Sequence, residues 1–562
     1  MNDAKIQVKP INYIFGLFLS FSLVAGRYYE NDGALPLSNP TFYLLIIGVA
    51  LVISGLSSVL FAKIKEYAEA RKKKCATEVL RDETTKDSER TVRAGHAAKG
   101  IFLISFLIIF VLYFIVFLGV YPGFFVYDAQ YELTETITRS FTSQQPILHV
   151  LFMGLIVQGV HSITNNYNTA IAVFILIQMT LVSLCWATLI RELNKDMLSK
   201  KGAIVFSIYL GLFPVPVMFS LCSAKDGLFG ACIIILFILT RRIINDFDAF
   251  IKNRRQILLF VLFSVLMMML RPNGVYAYIL FAVVLVLFLV RCKHESCKDS
   301  AGRKNIFIFG AVLILSVCIS LFANKFLLWA THAENYGVKD ALSMPIQQMA
   351  RLYSYDKDTL TASEIDEITA FIPEEALKRY NPKCADPVKI DFNEGTFSAS
   401  PLEFIKLWIR LGIKHPGAYI NAQGMTSYGL WYPGATIDGY KGNQVFTFVY
   451  GDSSYFGYET EEPGVRNSYI PFIDSFYKWI SLDPTIQKIP VISLLFAPGF
   501  VLWIVLFCIC YFIYIGQGSK AIPYLLAMFV LLTCLIGPMS LVRYSFFLWI
   551  LAPVCLCSLQ HA

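Results

Sequence analysis

Apolar runs long enough to cross a membrane recur along the whole chain, from residues 12–26 to residues 546–560. A run of ~20 apolar residues matches the ~30 Å hydrocarbon core of a bilayer, where helices satisfy every backbone group internally. The expected fold is therefore an all-α integral membrane protein. Composition agrees. Of 562 residues, 56% are hydrophobic, mean hydropathy is +0.58 and only 16% are charged, against roughly a quarter in soluble proteins. The formal charge of +8 is no nucleic-acid signature, because the basic residues lie mainly in short loops between the runs. That placement suits topology control and contact with anionic membrane lipids.

The first run, Ile11 to Gly26, is short enough to resemble a signal-peptide core, but no small-residue cleavage site follows and Arg27 comes at once. It reads as a first span or signal anchor. Most cysteines, such as Cys318, Cys508, Cys510 and Cys534, sit in apolar runs as small hydrophobes. Cys292, His294 and Cys297 lie together in a basic loop but lack a fourth zinc ligand.

Treating every apolar run as a span puts three basic loops on the side opposite Arg71-Lys72-Lys73-Lys74, against the positive-inside rule. The conflict vanishes if Pro146–Ile163 lies in or on the outer leaflet. That segment carries His149, Gln158 and His161, and the stretch Pro122–Asn168 contains one basic residue, Arg139. About 12 transmembrane helices then follow, with both termini cytoplasmic. The expected spans are 12–26, 42–63, 100–121, 169–190, 203–221, 227–241, 257–270, 275–291, 306–328, 489–515, 521–537 and 546–560. The organisation reads as two N-terminal spans (1–63), a charged cytoplasmic linker (64–99), a core (100–328) with an outer loop at 122–168, a large extracytoplasmic loop (329–488) and C-terminal spans (489–562). Within the large loop, Glu364–Phe371 and Glu374–Tyr380 read as short helices. Pro401–Ile413 reads as an amphipathic, interfacial one stopped by His415-Pro416. The chain contains no P-loop, Rossmann fingerprint, H-E-x-x-H or G-x-S-x-G motif.

With this topology the unusual polar residues share one face. Asp128 and Glu132 follow the third span, four residues apart and able to share a helical face. Lys225-Asp226, Arg271-Pro272-Asn273-Gly274 and Arg543-Tyr544 occupy outer turns, and Gln347, Gln348 and Arg351 follow Met344-Pro345. Taken singly, each has a structural explanation: a buried Lys–Asp pair is often architectural, and an Arg at a span end often snorkels to headgroups. Together they suit one chemistry. Basic groups can hold a lipid-linked phosphate, a carboxylate can take a proton from an attacking hydroxyl, and aromatics such as Trp431 can pack under a sugar.

The order of these elements resembles the GT-C superfamily of glycosyltransferases, and within it a bacterial group of multispanning GT-C-like membrane proteins. The resemblance covers roughly residues 100–560. It is carried by Tyr121-Pro122-Gly123 with Tyr127-Asp128 and Gln130, Gln145-Pro146-Ile147-Leu148-His149, Ser223-Ala224-Lys225-Asp226, Arg271-Pro272-Asn273-Gly274, Pro345 to Arg351, His415-Pro416 with Tyr419-Ile420, Trp431-Tyr432-Pro433 and Arg543-Tyr544. It implies a first outer loop with a juxtamembrane helix, Asp128 as catalytic base with Glu132 beside it, and a late Arg, Arg543, on the donor phosphate. Lys225, Asp226, Arg271, Asn273, Gln348, Arg351, Tyr544, His149 and Trp431 complete the expected binding set. Many members carry paired acids in this loop. Here Ala129 follows Asp128, which leaves dependence on a divalent cation open.

The expected activity is transfer of a sugar from a polyprenyl-phosphate-linked donor, with inversion. The acceptor would be a cell-envelope glycan, teichoic acid or lipid at the outer face of a bacterial plasma membrane. A transporter or flippase for lipid-linked glycans would show internal repeats and polar or broken helices near the midplane. No clear repeat is present, and Pro214 and Pro216 are the best mid-span breakers. A polymerase or ligase for such glycans is a third option.

Overall fold

The computed structural model describes residues 7–79, 87–296, 300–439 and 457–560, with side chains outside 72–98, 292–301 and 484. The Cys292, His294 and Cys297 group lies outside the described side chains. All named elements among the described residues are helices. In order they begin α1 (Pro10–Asp32), α2 (Pro40–Val79), α3 (Asp87–Gly119), α4 (Ala129–Thr138), α5 (Ile147–Thr164), α6 (Tyr167–Leu193), α7 (Lys200–Leu212), α8 (Pro214–Leu221), α9 (Asp226–Asn245), α10 (Phe247–Lys252), α11 (Arg254–Leu270), α12 (Asn273–Ser296) and α13 (Ser300–Ala330).

Eight described helices are long and apolar enough to cross a membrane: α1, α2, α3, α5, α6, α9, α12 and α13. The expected single span 203–221 is instead a pair, α7 and α8, bent by 61°. Pro214 opens α8, and proline cannot continue the hydrogen-bond ladder of the helix before it. Counting the pair as one span gives nine. The expected C-terminal spans are the shorter apolar helices Pro498–Tyr514, Gly518–Cys534 and Leu548–Leu559. The chain is thus a multi-pass α-helical membrane protein.

Helix α5 is apolar and 18 residues long, but its connections do not carry the chain across. The Arg191 guanidinium, near the end of α6, lies 5.5 Å from the Phe102 ring near the described start of α3. Asn168, opening α6, exchanges hydrogen bonds of 2.8 Å with Val465, and the Asn467 N–H donates to Tyr121 O just past α3. So α3 and α6 run antiparallel, and α3 ends on the face where α6 begins. A single helix between two points on one face makes no net crossing. From α6 to α13 the chain then makes six passes if α7–α8 and α11 count as one each. Six passes return it to the same face, where Ser143 N–H donates to Glu334 O at 2.9 Å.

Beyond α13, helices α14 (Ser343–Tyr355), α15 (Ala362–Phe371), α16 (Glu374–Leu377), α17 (Asp386–Lys389), α18 (Glu394–Ala399), α19 (Pro401–Lys414) and α20 (Pro416–Trp431) follow. The first six and the start of α20 enclose a core of their own around Ile346, Met349, Leu352, Ile368, Phe404 and Leu411. Pro416 stops α19 and also opens α20, since the first turn of a helix needs no proline N–H. One face of α19 buries Phe404, Leu407 and Leu411, while Leu402, Ile405, Ile409 and Ile413 stay exposed. Helices α21 (Pro471–Leu482), α22 (Ile492–Phe496), α23 (Pro498–Tyr514), α24 (Ile522–Cys534) and α25 (Leu548–Leu559) complete the fold.

The same-face connection of α5 has a direct check. In a background without other accessible thiols, Cys placed at Ser143 and at Asn166 will react with an impermeant reagent from one side, and Cys at Ser199 only from the other. Opposite sidedness of 143 and 166 would mean that α5 crosses.

Candidate active site

Asp128 is the residue just before α4, and Glu132 N–H donates to its carbonyl at 3.0 Å. One helical turn therefore separates the two acids, and both face Lys225. The Lys225 Nζ donates to Asp128 Oδ2 at 2.7 Å and to Gln145 Oε1 at 2.5 Å, and lies 3.6 Å from Glu132 Oε1. Arg543 Nη1 approaches Asp128 Oδ2 at 3.3 Å. Glu132 also accepts from, or shares a proton with, His149 Nδ1 at 2.5 Å, with both side chains buried. Arg271 pairs with Asp226, and its guanidinium stacks 4.8 Å over the Tyr544 ring. Arg543 lies 4.5 Å over Tyr127 and 5.2 Å over Tyr544.

Short turns hold these groups in place. Ser223 N–H donates to Phe124 O, and Phe124 N–H to Leu221 O, which stitches the extended segment before Asp128 to the α8–α9 turn. Gln178, buried in α6, donates to Cys222 O at 2.5 Å beneath that turn. A Cβ on Gly227 would stand 2.3 Å from Phe219 O, so only glycine lets α9 begin this close to α8. Tyr127 has φ of 67°, a left-handed conformation that costs a non-glycine residue energy and persists where surroundings over-determine it.

A segment that sequence reasoning missed closes the site. Residues 460–469 run along the end of α3: Glu461 N–H donates to Phe125 O at 2.7 Å, Thr460 Oγ1 to Gly123 O, and Tyr469 N–H to Leu118 O. Arg466 caps Val120 O and Gly123 O. This strap buries Glu461 within reach of the Asp128 charge. In the sequence, Glu459-Thr460-Glu461-Glu462 looks like an ordinary solvated acidic run, and only the strap's backbone pairing reveals otherwise.

The two acids titrate in opposite directions. Burial alone would raise Asp128, but the charges of Lys225 and Arg543 hold its carboxyl far below the usual range. Burial, and then the Asp128 charge, push Glu461 up to about 9, and burial pushes Glu459 up to about 7. A divalent ion does not fit beside Asp128, because Lys225 and Arg543 already stand against that carboxylate and would repel it. Among the described residues no group of three or more His, Cys, Asp or Glu could hold a metal.

The other expected site residues stand apart. Asn273 donates to Thr533 Oγ1 at 2.9 Å and ties α12 to α24 next to Arg271. Gln348 is spanned by Tyr419 O and Trp408 Nε1, and Arg351 donates to Gly33 O at 2.9 Å and stacks on Tyr355. Trp431 packs on Phe21, and its carbonyl accepts from Ser22 and Trp503. Gln348 ties α14 to α19 and α20, and Arg351 and Trp431 join that unit to the N-terminal helices, so none of the three lines the charged cluster.

The fold and its buried charge cluster define a multi-pass membrane protein with a polar centre at one face of its helix bundle. A family model, described as a family of unknown function (DUF6020), matches residues 129–561, and the chain belongs to that family. The match opens one residue after Asp128. No curated protein and no solved structure matches the chain.

Two variants test the electrostatics. Asp226→Asn leaves buried Arg271 without its counter-charge and will lower stability by on the order of 3 kcal/mol, read as thermal unfolding in detergent. Unchanged unfolding would mean the pair is not buried. An acid whose folded pKa is raised lends stability at low pH that is lost as pH climbs from its unfolded value toward about 9. Glu461→Gln will therefore flatten the fall in melting temperature between pH 6 and pH 9. Equal slopes in the two proteins would place Glu461 in water.

Proposed function

We propose that this chain is a GT-C-type membrane glycosyltransferase of the bacterial plasma membrane, with cytoplasmic termini and an extracytoplasmic active site. It would move a sugar from a polyprenyl-phosphate donor to a cell-envelope glycan, teichoic acid or lipid. The observation that supports this most is the Asp128 carboxylate gripped by Lys225 and Arg543, with the Arg271–Asp226 pair linked to Arg543 through the Tyr544 ring.

A carboxylate with so depressed a pKa is a poor base, since general-base catalysis works best with a pKa near the operating pH. A donor phosphate resolves this, because its oxygens compete for Lys225 Nζ and the Arg543 guanidinium. Drawing those cations away returns basicity to Asp128. The acceptor hydroxyl then attacks the anomeric carbon as its proton passes to Asp128. The bond from that carbon to the phosphate oxygen breaks, and the carbon inverts. The lipid phosphate leaves with the bonding electron pair, its growing charge met by Lys225 and Arg543. Glu132, held by His149, keeps Lys225 aimed.

The bent α7–α8 pair, ending at the Lys225 turn, is the feature that favours a flippase instead, since transporters build sites from broken helices. One assay separates the two. Purified protein is incubated with a panel of polyprenyl-phosphate sugars and an acceptor mixture, and free lipid phosphate is measured. A glycosyltransferase releases it and a flippase does not. Asp128→Asn will lower release at least 100-fold in folded protein. Release at the normal rate would remove Asp128 from the mechanism.

A further inference from the structure

A groove of about 570 Å³ runs down the bundle between α5, α6, α9 and α11. Its walls are aliphatic and aromatic, with Leu184, Ala231, Ile235 and Phe263 along its length. On α9 it extends from Leu228 to Arg242, ~20 Å at 1.5 Å per residue, which is more than half of a bilayer's ~30 Å hydrocarbon core.

The two ends differ. At one end, Leu228 lies two residues past Asp226, and Leu270 directly precedes Arg271, so the groove starts where the charged cluster stops. His149 sits there too, fully buried and lining the groove. Its Nδ1 is taken by Glu132, while its Nε2 has no partner. A buried ring nitrogen without a partner is costly unless something binds it. At the other end Arg242 is bonded twice to Glu192, and Arg191 stacks on Phe102, so what sets the first end apart is the open His149 Nε2.

We propose that this groove holds the first apolar stretch of a single-chain lipid monophosphate, whose head lies against Lys225 and whose phosphate-bearing end passes His149 Nε2. The shape is that of an amphiphile: cationic groups that suit a phosphate at one end and an apolar channel below them. The volume falls within the range of a single small-molecule pocket, which suits one chain rather than two. His149 is a positioning residue in this arrangement. With Nδ1 committed to Glu132, it couples the occupant's head to the Glu132–Lys225 contact. The inference rests on the phosphate reading of the Lys225 cluster and is independent of sugar transfer.

The test uses the intact protein and a polyprenyl monophosphate carrying a diazirine on its chain. After illumination, mass spectrometry of peptides will find adducts on the groove-lining stretches of α6 (181–191) and α9 (228–242). Excess undecaprenyl phosphate will lower them at least 5-fold, while inorganic phosphate and phosphatidylglycerol will not. Adducts confined to exposed outward positions such as Leu107 and Val205 would overturn the proposal, as would equal competition by phosphatidylglycerol. Ala231→Trp, which fills the channel, will weaken labelling about 10-fold. If that variant does not fold, the wild-type competition pattern still decides. His149→Phe will lower labelling and His149→Gln, which keeps a polar atom, will restore part of it. Equal loss in both variants would remove Nε2 from the contact. Groove labelling without any release of lipid phosphate from sugar donors would support this site and sink the transferase reading, so the two fail separately.

Discussion

The Lys225–Asp128 ion pair, 2.7 Å long and largely withdrawn from water, is the contact on which the rest of this arrangement depends. Charges are expensive to bury, and they persist in a membrane bundle only when paired and bonded. Here the cost is shared among four chain segments that meet at one face. The loop after α3 supplies Asp128, and the turn before α9 supplies Lys225. The end of α11 supplies Arg271, and the turn before α25 supplies Arg543. Lys225 and Arg543 both pair with Asp128, and Arg271 pairs with Asp226, so removing Arg271 strands a buried charge. The network therefore holds these segments together, and under the proposed function the same contacts make the reactive centre.

That duality shapes the chemistry. The cations serve Asp128 and hold its carboxyl well below the usual range, too weak a base for the proposed transfer. Under the proposed function, a phosphate that takes those cations also frees the carboxylate, so binding and activation become one event. Glu461 behaves oppositely. The strap along α3 buries it beside Asp128, and its proton avoids a second negative charge at that spot. Environment alone thus pushes the pKa values of two neighbouring carboxyls apart.

Much of this was legible in the sequence. Hydropathy exposes the apolar spans, and the basic loops argue against a crossing at Pro146–Ile163, where the antiparallel α3 and α6 leave α5 with both ends on one face. Asp128, Glu132, Lys225, Asp226, Arg271 and Arg543 stand out because charge beside a span is costly, and the structure brings all six together. What was hidden depends on long-range pairing. Glu461 lies in an acidic run that looks solvated until its strap is seen bonded to 118–125. Gln348, Arg351 and Trp431 are polar or aromatic residues near the right face by sequence, but each is spent on packing between distant segments. The break at Pro214 was visible as a proline, though its 61° bend was not.

The most direct test of the central claim is a structure of the protein with a polyprenyl phosphate bound. The account predicts phosphate density between Lys225 Nζ and the Arg543 guanidinium, with the Asp128–Lys225 contact opened beyond hydrogen-bonding distance and the lipid chain entering the groove past His149. A phosphate bound elsewhere, with the Asp128–Lys225 pair still closed, would contradict it.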